Sequence, residues 1–242
     1  MQEWLFNLKD RFILNFIDDN RWKYLTDGLI VTLEVTFFAV VLGILIGIVI
    51  AAIRSTHDKI IGDMRNPLAK AFLKLLNWLS KVYLTVIRGT PVVVQLMISY
   101  YLIFASSNNK VLIAILSFGI NSGAYVAEIV RSGIMSIDQG QTEAGRSLGF
   151  NYIQTMMFIV LPQAFKNVLP ALANEFIVLL KETSVSGYVA LQDLTKGADI
   201  IRGRTYDAFM PLVALALIYL VLVLFFTYLV DKLERRLRAG ER

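Results

Sequence analysis

The 242-residue sequence contains no cysteine and a single histidine, His57. The lack of cysteine excludes a disulfide framework and any thiolate metal site, and one histidine excludes a multi-histidine site. The pattern G-x-x-x-x-G-K-[S/T], the phosphate-binding loop of many ATPases, is also missing. The apolar segments hold no Ser–His arrangement, histidine cluster or paired carboxylates of the kind a membrane-embedded enzyme uses. These absences argue against catalysis by this chain and predict that it binds no cofactor or metal.

Long hydrophobic runs are abundant. Hydrophobic residues make up 56% of the chain and the mean hydropathy is +0.60, well above an ordinary soluble domain. The N-terminus lacks the basic-then-apolar order and the cleavage site of a signal peptide. The net charge of +5 is modest and fits loops beside a membrane better than nucleic-acid binding. The chain is therefore expected to be an integral membrane protein that binds no nucleic acid.

Five segments are long and apolar enough to cross a bilayer, which takes about 20 residues. They are 28–53, 82–104, 111–130, 168–190 and 208–230. Between the first two, residues 66–81 place apolar side chains at helical spacing with lysines between them. That pattern predicts an amphipathic helix along the interface, or the approach to the second span. Gly43 and Gly47 form a G-x-x-x-G motif, which favours close helix packing.

Lysine and arginine predict the orientation. Six lie in 54–81, three in 131–166 and five in 231–242, against four before residue 28, one at Lys110 and three in 182–206. The richer side should be cytoplasmic. The expected all-α fold therefore has five transmembrane helices, with the N-terminus outside and the C-terminus inside. We expect an extracytoplasmic segment at 1–27, a membrane domain at 28–230 with a cytoplasmic loop at 131–167, and a cytoplasmic tail at 231–242.

A short polar stretch, QTEAGRSL, lies in that loop between Gly140 and Gly149. Thr142 is expected to cap the start of a helix, with Glu143 in its first turn. Gly149 suits the left-handed position that ends a helix. Ala144 and its neighbouring glycine give the helix a small-residue face, which fits a groove on another protein. A surface helix that touches nothing is the competing interpretation.

The spacing around this stretch resembles the EAA loop of ABC-importer permeases. That loop runs E-A-A, three residues, G, nine residues, I, one residue, L-P. The sequence matches every spacing and departs once, with glycine in place of the second alanine. The matching residues are Glu143, Ala144, Gly145, Gly149, Ile159, Leu161 and Pro162. The segments RGTPVVVQL at 88–96, 121–149 and 161–184 resemble the polar amino-acid branch of that family (His/Arg/Gln/Glu-type permeases).

The resemblance implies a type I importer fold and an assembly in which separate subunits bind the substrate, hydrolyse ATP and cross the membrane. Two permease subunits, identical or homologous, pair with two ATP-binding cassette subunits, and an extracytoplasmic binding protein delivers the amino acid. ATP and Mg belong to the ATPase, and the permease lies in the bilayer of a bacterial cytoplasmic membrane. The EAA helix, here about 141–148, would be the coupling helix. The expected coupling residues are Gln141, Thr142, Glu143, Ala144, Gly145, Arg146, Ser147, Leu148, Gly149, Leu161 and Pro162.

Ionisable and polar side chains within the predicted spans are candidates for a substrate path, because burying charge in a bilayer is costly. Arg88 is a candidate partner for a substrate carboxylate, and Glu128 or Glu175 for its ammonium. Alternatively, Arg88 and Glu128 pair with each other to hold the helices together. The fourth span is interrupted by polar residues, as transporter binding sites often are. The full candidate set is Arg88, Asn121, Tyr125, Glu128, Asn174, Glu175, Lys181, Glu182, Thr183 and Ser184.

A channel or a secondary transporter for small polar solutes, working without an ATPase, is the alternative to an importer subunit. Such a carrier has no use for a docking helix of EAA spacing, so the sequence favours the importer. The amino acid carried, and the choice between a homodimer and a heterodimer, stay open at this point.

Overall fold

The structure is a computed structural model that describes residues 8–239, with side chains to residue 237. Residues 1–7 of the expected extracytoplasmic segment and 240–242 of the expected tail lie outside the described part. Within it every regular element is helical. The helices are α1 (Trp22–Ile60), α2 (Pro67–Gly89), α3 (Val92–Ile98), α4 (Lys110–Met135), α5 (Gln139–Ser147), α6 (Tyr152–Thr155), α7 (Leu161–Glu182), α8 (Leu194–Thr205) and α9 (Phe209–Ala239).

Shorter helical turns join several of these helices. π-Helical turns occur at Ile13–Ile17, Ser99–Ile103 and Met156–Val160. Turns of 3₁₀ helix occur at Asp18–Asn20 and Thr183–Val189. The last of these ends at Ala190, whose φ of 54° is left-handed. The predicted fourth span, 168–190, thus consists of an α-helix that begins earlier than expected and a 3₁₀ segment that completes it.

Four helical stretches in the described residues are long and apolar enough to cross a membrane: Trp22–Ile60, Lys110–Met135, Tyr152–Val189 and Phe209–Leu237. A fifth span is obtained if the bent pair of α2 and the segment Val92–Ile103 counts as one. The first, third, fourth and fifth predicted spans each fall on one of these stretches. Because many large apolar side chains on them are exposed, the chain is a multi-pass membrane protein rather than a soluble bundle.

The second predicted span, 82–104, is not one continuous helix. α2 ends at Gly89 and the chain turns by 107° before the next helical segment. Thr90 is extended (φ −124°, ψ 145°), since a residue before proline avoids the helical conformation. Pro91 then precedes α3 without an amide hydrogen to continue the α2 ladder. The predicted amphipathic stretch 66–81 forms the first part of α2, and the Asn66 side chain caps it by accepting from the amides of Leu68 and Ala69.

The helices pack into two compact units. Counting only the described residues, the first unit comprises Met1–Ala39, Val92–Phe118 and Ile177–Leu229. The second unit comprises Val40–Pro91, Gly119–Phe176 and Val230–Arg242. In the first unit, one core cluster contains Phe16, Leu25, Leu194, Ala198 and Ile201. In the second, α1 crosses α4 at its two motif glycines. A Cβ at Gly43 would lie 2.9 Å from the Ser122 hydroxyl, and one at Gly47 would overlap Val126. The predicted packing role of G-x-x-x-G is confirmed.

Candidate functional site

The predicted coupling stretch forms helix α5 in the second unit, and both of its ends are capped. The Asp138 carboxylate accepts a hydrogen bond from the Gly140 amide at 2.7 Å, so the helix begins at Gln139 and Asp138 is its N-cap. The expectation that Thr142 would cap the helix is wrong. Thr142 lies one turn inside it, because the acid four residues upstream takes the capping position.

The C-terminus of α5 ends as expected at Gly149, whose φ is +83°. The Phe150 amide donates to the Gly145 carbonyl at 3.1 Å, and the Gly149 amide donates to the Arg146 carbonyl at 2.9 Å. These two bonds form a Schellman motif, which requires a left-handed residue and therefore favours glycine. α5 is accordingly a short helix whose two ends are fixed by its own sequence.

Gly145 faces the chain itself rather than an outside groove. It is buried, and a Cβ at this position would come within 2.9 Å of Ile159 Cδ1 and of Thr155 Cγ2. At such short distances a neighbouring side chain would have to move. The small-residue face is thus split, with Gly145 inside and Ala144 exposed. The one departure from the EAA pattern, glycine for alanine, has a local steric reason.

The chain after α5 returns against it. Asn151 and Gln154 exchange side-chain and backbone hydrogen bonds in a capping box at the start of α6. Val160 and Ala164 are buried with Ile134 of α4, and Leu161 packs against this cluster. Pro162 is exposed in the first turn of α7. The next residue, Gln163, donates to the Gln141 side chain at 3.2 Å, which ties α5 to α7.

The outer surface of α5 is exposed and mixed in character. Glu143, Arg146 and Ser147 are exposed together with Leu148, whose side chain is 74% exposed. Arg146 approaches Asp63 at 3.9 Å, with both side chains largely in solvent. An exposed leucine beside opposite charges is suited to contact with another protein, since apolar area and charge complementarity both contribute to binding.

A second cluster forms around Arg88. Its guanidinium pairs with the Glu128 carboxylate and lies over the Tyr125 ring, 5.6 Å from the ring centroid. The three side chains line a cleft of about 490 Å³. The pairing that the sequence left as an alternative is therefore present. Arg54 and Lys81 line the same cleft, and the sequence did not single them out.

The other predicted polar residues of the second unit lie on α4 and α7. The Ser122 hydroxyl donates to Glu175 Oε1 at 2.8 Å, and both side chains are buried, as is Asn121. Asn174 is exposed, and its amide donates to the Pro170 carbonyl at 3.2 Å. This hydrogen bond links Glu175 on α7 to Ser122 on α4. The serine next to Asn121 was the partner that sequence reasoning missed.

The remaining candidates belong to the first unit. Lys181 is exposed and Glu182 is half-buried at the end of α7. Buried Thr183 donates its hydroxyl to the Leu180 carbonyl at 2.8 Å, so it satisfies backbone where the α-helix gives way to 3₁₀ helix. Ser184 lines a separate cavity of about 530 Å³ together with residues of α8. These four residues do not share the Arg88 cleft.

A polar cluster that the sequence did not predict links the N-terminal segment to the turn before α9. Arg11 donates to both oxygens of Asp207, at 2.9 and 2.5 Å. Buried Asn15 donates to Asp207 at 2.9 Å and accepts from Thr205 at 2.8 Å. The hydrogen bonds from Arg11 lower the Asp207 pKa to about 2. Nothing in the local pattern of either segment signals a partner almost two hundred residues away.

A buried carboxylate caps helix α8. Asp193 accepts from the Lys196 amide at 2.8 Å, and burial raises the pKa of Asp193 to about 6. Its backbone carbonyl packs so tightly on Gly28 that a Cβ there would lie 2.5 Å away. Among the described residues, no group of three or more His, Cys, Asp or Glu side chains is placed to hold a metal ion.

A sequence profile of the family described as "binding-protein-dependent transport system inner membrane component" matches residues 67–239. The chain belongs to this family. Among its relatives, the arginine transport system permease protein ArtQ of Bacillus subtilis is 35% identical over 222 residues, covering 90% of this chain and 94% of that protein. The L-cystine transport system permease protein TcyB of the same organism is 30% identical, covering 92% of this chain and 90% of that one.

Solved structures agree with the assignment to the inner membrane component family. A crystal structure of an amino acid ABC transporter with histidines matches with a TM-score of 0.79 and 40% identity, over 91% of this chain and 98% of that one. An inward-facing structure of the MetNI methionine ABC transporter matches with a TM-score of 0.74 over 89% of this chain and 97% of that one. At 20% identity the second likeness shows the fold alone.

Proposed function

We propose that this chain is the membrane subunit of an ATP-driven importer for polar amino acids, and that α5 is the helix through which a separate ATPase drives it. The observation that carries the proposal is the geometry of α5. It is a short helix capped at both ends, exposed along one side and interlocked with the membrane-returning segment through Gly145. The permease family assignment supports the same function.

Movement of α5 would pass directly to the membrane helices. Gly145 packs on Thr155 and Ile159, and Gln141 is hydrogen-bonded to Gln163 at the start of α7. Leu161 packs on the cluster that includes Ile134 of α4. Because packed helices move as rigid pieces, a displacement of α5 by the ATPase would displace the start of α7 with it.

The proposed assembly contains two such membrane subunits, identical or homologous, two ATP-binding cassette subunits that hold ATP and Mg, and an extracytoplasmic amino-acid-binding protein. The proposed location is the bacterial cytoplasmic membrane, with the N-terminus outside and the tail 231–242 inside. Lysine and arginine counts support this orientation. The domain boundaries 1–27, 28–230 and 231–242, and the cytoplasmic loop 131–167, are part of the same proposal.

The candidate substrate path consists of polar groups in each unit. In the second unit these are the buried Glu175, Asn174 beside it on α7, and Asn121 next to the Ser122 partner of Glu175 on α4. The other predicted residues of this unit, Arg88, Glu128 and Tyr125, are proposed to hold the helices together through the Arg88–Glu128 pair. In the first unit the path residues are Lys181, Glu182, Thr183 and Ser184 at the α-to-3₁₀ transition. Glu175 is the strongest candidate for contact with a cationic side chain of the substrate, since it is a buried acid in a predicted span.

Cysteine cross-linking tests the coupling helix, because the chain has no native cysteine to replace. We expect Leu148→Cys, on the exposed side of α5, to cross-link to a cysteine introduced in the cleft of the partner ATPase, with a yield that changes with nucleotide. Tyr206→Cys, 95% exposed before α9 and on the proposed outer side, is the matched control and should give no product. Absence of a Leu148→Cys product in every nucleotide condition would overturn the proposal.

The alternative, an ATPase-independent carrier or channel, is not favoured. The relatives of this chain include permease proteins of transport systems and ABC transporters. Reconstitution separates the two. The importer requires the ATPase, ATP and the binding protein for uptake into liposomes, whereas the alternative requires only this chain. A screen of the twenty amino acids with the reconstituted complex would then identify the substrate.

A further inference from the structure

The cleft around Arg88 carries an excess of positive charge. Arg54 enters it from α1, Lys81 and Arg88 from α2, and Tyr125 and Glu128 from α4. Arg88 and Glu128 form an ion pair and compensate each other. Among the residues that the structure describes, neither Arg54 nor Lys81 has an ion-pair or hydrogen-bond partner. The cleft therefore keeps two uncompensated positive charges.

Arg54 is the less usual of the two cations. Its Nε is buried and lacks a hydrogen-bond partner within the described part of the chain. Buried donors in native proteins almost always have a partner, in the protein or in a bound molecule. A guanidinium with an unmet buried donor, close to a second unpaired cation, is suited to an anion that accepts several hydrogen bonds at once, and phosphate is such an anion.

Helix α2 connects the cleft with an apolar surface. Lys74, Trp78, Lys81, Thr85 and Arg88 follow the three-and-four spacing of one helix face. On the same helix the polar residues Asn77 and Ser80 are buried, whereas large apolar side chains are exposed. The exposed set is Leu68, Phe72, Leu75, Trp78, Leu79, Val82 and Val86. A water-facing helix has the opposite arrangement.

We propose that this cleft is a binding site for the phosphate group of an anionic phospholipid, whose acyl chains lie along the exposed apolar face of α2. Basic pockets between membrane helices are the usual receptors for anionic headgroups. The cleft volume of about 490 Å³ accommodates a glycerophosphate headgroup. Trp78, one turn before Lys81 on the same helix, fits as well, because it is 59% exposed and tryptophan prefers the membrane–water interface. The lipid supplies the negative charge that the protein lacks here.

Lipid titration of the full chain in detergent tests the proposal. Phosphatidylglycerol should raise the Tm, and native mass spectrometry should detect it bound, whereas phosphatidylcholine with the same acyl chains should do neither. The double variant Arg54→Gln/Lys81→Gln should bind phosphatidylglycerol roughly 30-fold more weakly, from the usual contribution of two interfacial cations. The control Lys59→Gln/Arg65→Gln removes the same charge outside the cleft and should bind as the wild type does.

A third variant and two soluble anions complete the test. Glu128→Gln releases Arg88 from its ion pair and should strengthen phosphatidylglycerol binding, a gain that a misfolded protein would not show. Inorganic phosphate and glycerol phosphate serve as soluble probes. If they raise the Tm as much as the lipid does, the ligand is a free anion and the lipid assignment is wrong. Equal binding of phosphatidylcholine, or unchanged binding by Arg54→Gln/Lys81→Gln, would also overturn it.

Discussion

Arg11 and Asp207 are 196 positions apart in the chain, yet the Arg11 guanidinium donates two parallel hydrogen bonds to the Asp207 carboxylate. Bidentate arginine–carboxylate pairs are among the stronger side-chain contacts in proteins. Asn15, fully buried, completes the cluster. The segment before the first membrane helix is thereby fixed to the turn before the last one.

Asp207→Asn should show how much this contact stabilises the fold. The Asp207 pKa is lowered to about 2. The contact with Arg11 therefore stabilises the folded protein fully above the ordinary aspartate pKa of 3.8, and this stabilisation is lost as the pH falls through about 2. We expect the variant to melt about 5 °C lower at pH 7 and the difference to shrink between pH 4 and pH 2. The detergent-solubilised protein can be followed by its helical signal on heating, and a pH-independent difference would contradict the assignment.

Asp193→Asn should remove a pH dependence of the opposite sign from that of Asp207. Burial raises the Asp193 pKa to about 6, so the folded chain prefers the protonated acid. The free energy of unfolding should therefore fall as the pH rises from about 4 to about 6, by up to about 3 kcal/mol. Asparagine caps a helix as well as aspartate does, so the variant keeps the bond to the Lys196 amide and loses this slope. Parallel Tm profiles of the two proteins would refute the prediction.

Gly145→Val should loosen the connection between α5 and α7. The new side chain would overlap Thr155 and Ile159, and overpacking of this kind costs about 1–3 kcal/mol. In the reconstituted complex we expect substrate-stimulated ATP hydrolysis to fall several-fold while membrane insertion is kept. Gly203→Val is the matched control, because Gly203 also lies within a helix but a Cβ there meets nothing within 4 Å. Equal stimulation in Gly145→Val and in the wild type would remove the proposed mechanical role of this contact.

Gly149→Ile should weaken the same coupling by a different route. A β-branched residue at φ +83° is strained by roughly 1–2 kcal/mol, which opposes the two hydrogen bonds that end α5. The ATPase rate with and without substrate reports the effect. Gly62→Ile is the control, since a Cβ there meets nothing within 4 Å and its φ is not in the left-handed range. If both variants behave alike, the Schellman turn is not needed for coupling.

Glu175→Gln should alter which amino acids cross. In the native protein the Ser122 hydroxyl donates to Glu175 at 2.8 Å. The amide oxygen of glutamine can still accept this hydrogen bond, so the packing is kept while the charge is removed. Uptake of a cationic amino acid should fall about tenfold relative to a neutral one, in line with one lost charge contact. Ser122→Ala is the control that removes the hydrogen bond and keeps the charge. Unchanged relative uptake in Glu175→Gln would place the site elsewhere.

The features that the sequence predicted correctly are local or strongly periodic. The existence of α5, its end at Gly149 and the long apolar helices at four of the five predicted spans follow from spacing and hydropathy over short windows. The family resemblance came from the same spacings. The 107° turn was missed, although Thr90 precedes a proline that disfavours helix at that position, because the hydropathy of 82–104 is continuous across it.

The features that the sequence did not predict depend on distant segments. Asp138 takes the cap expected for Thr142 because the helix extends one turn further back. Gly145 faces inward because the chain returns over it only after Gly149. The charge excess at Arg54 and Lys81 becomes evident only when α1, α2 and α4 meet at one cleft. Periodicity says which residues share a helix face, but not which other helix covers it.

The π-helical turn at Met156–Val160 lies between the end of α6 and the start of α7. Such a turn holds one residue more than an α-helical turn. The extra residue is accommodated within the turn itself, so the helix continues into α7 without a change of register. Deleting one of residues 156–160 should leave an ordinary α-helical turn and keep Glu175 against Ser122. Deleting one residue of α7 ahead of Glu175 would instead remove about 100° of rotation and turn Glu175 away from Ser122.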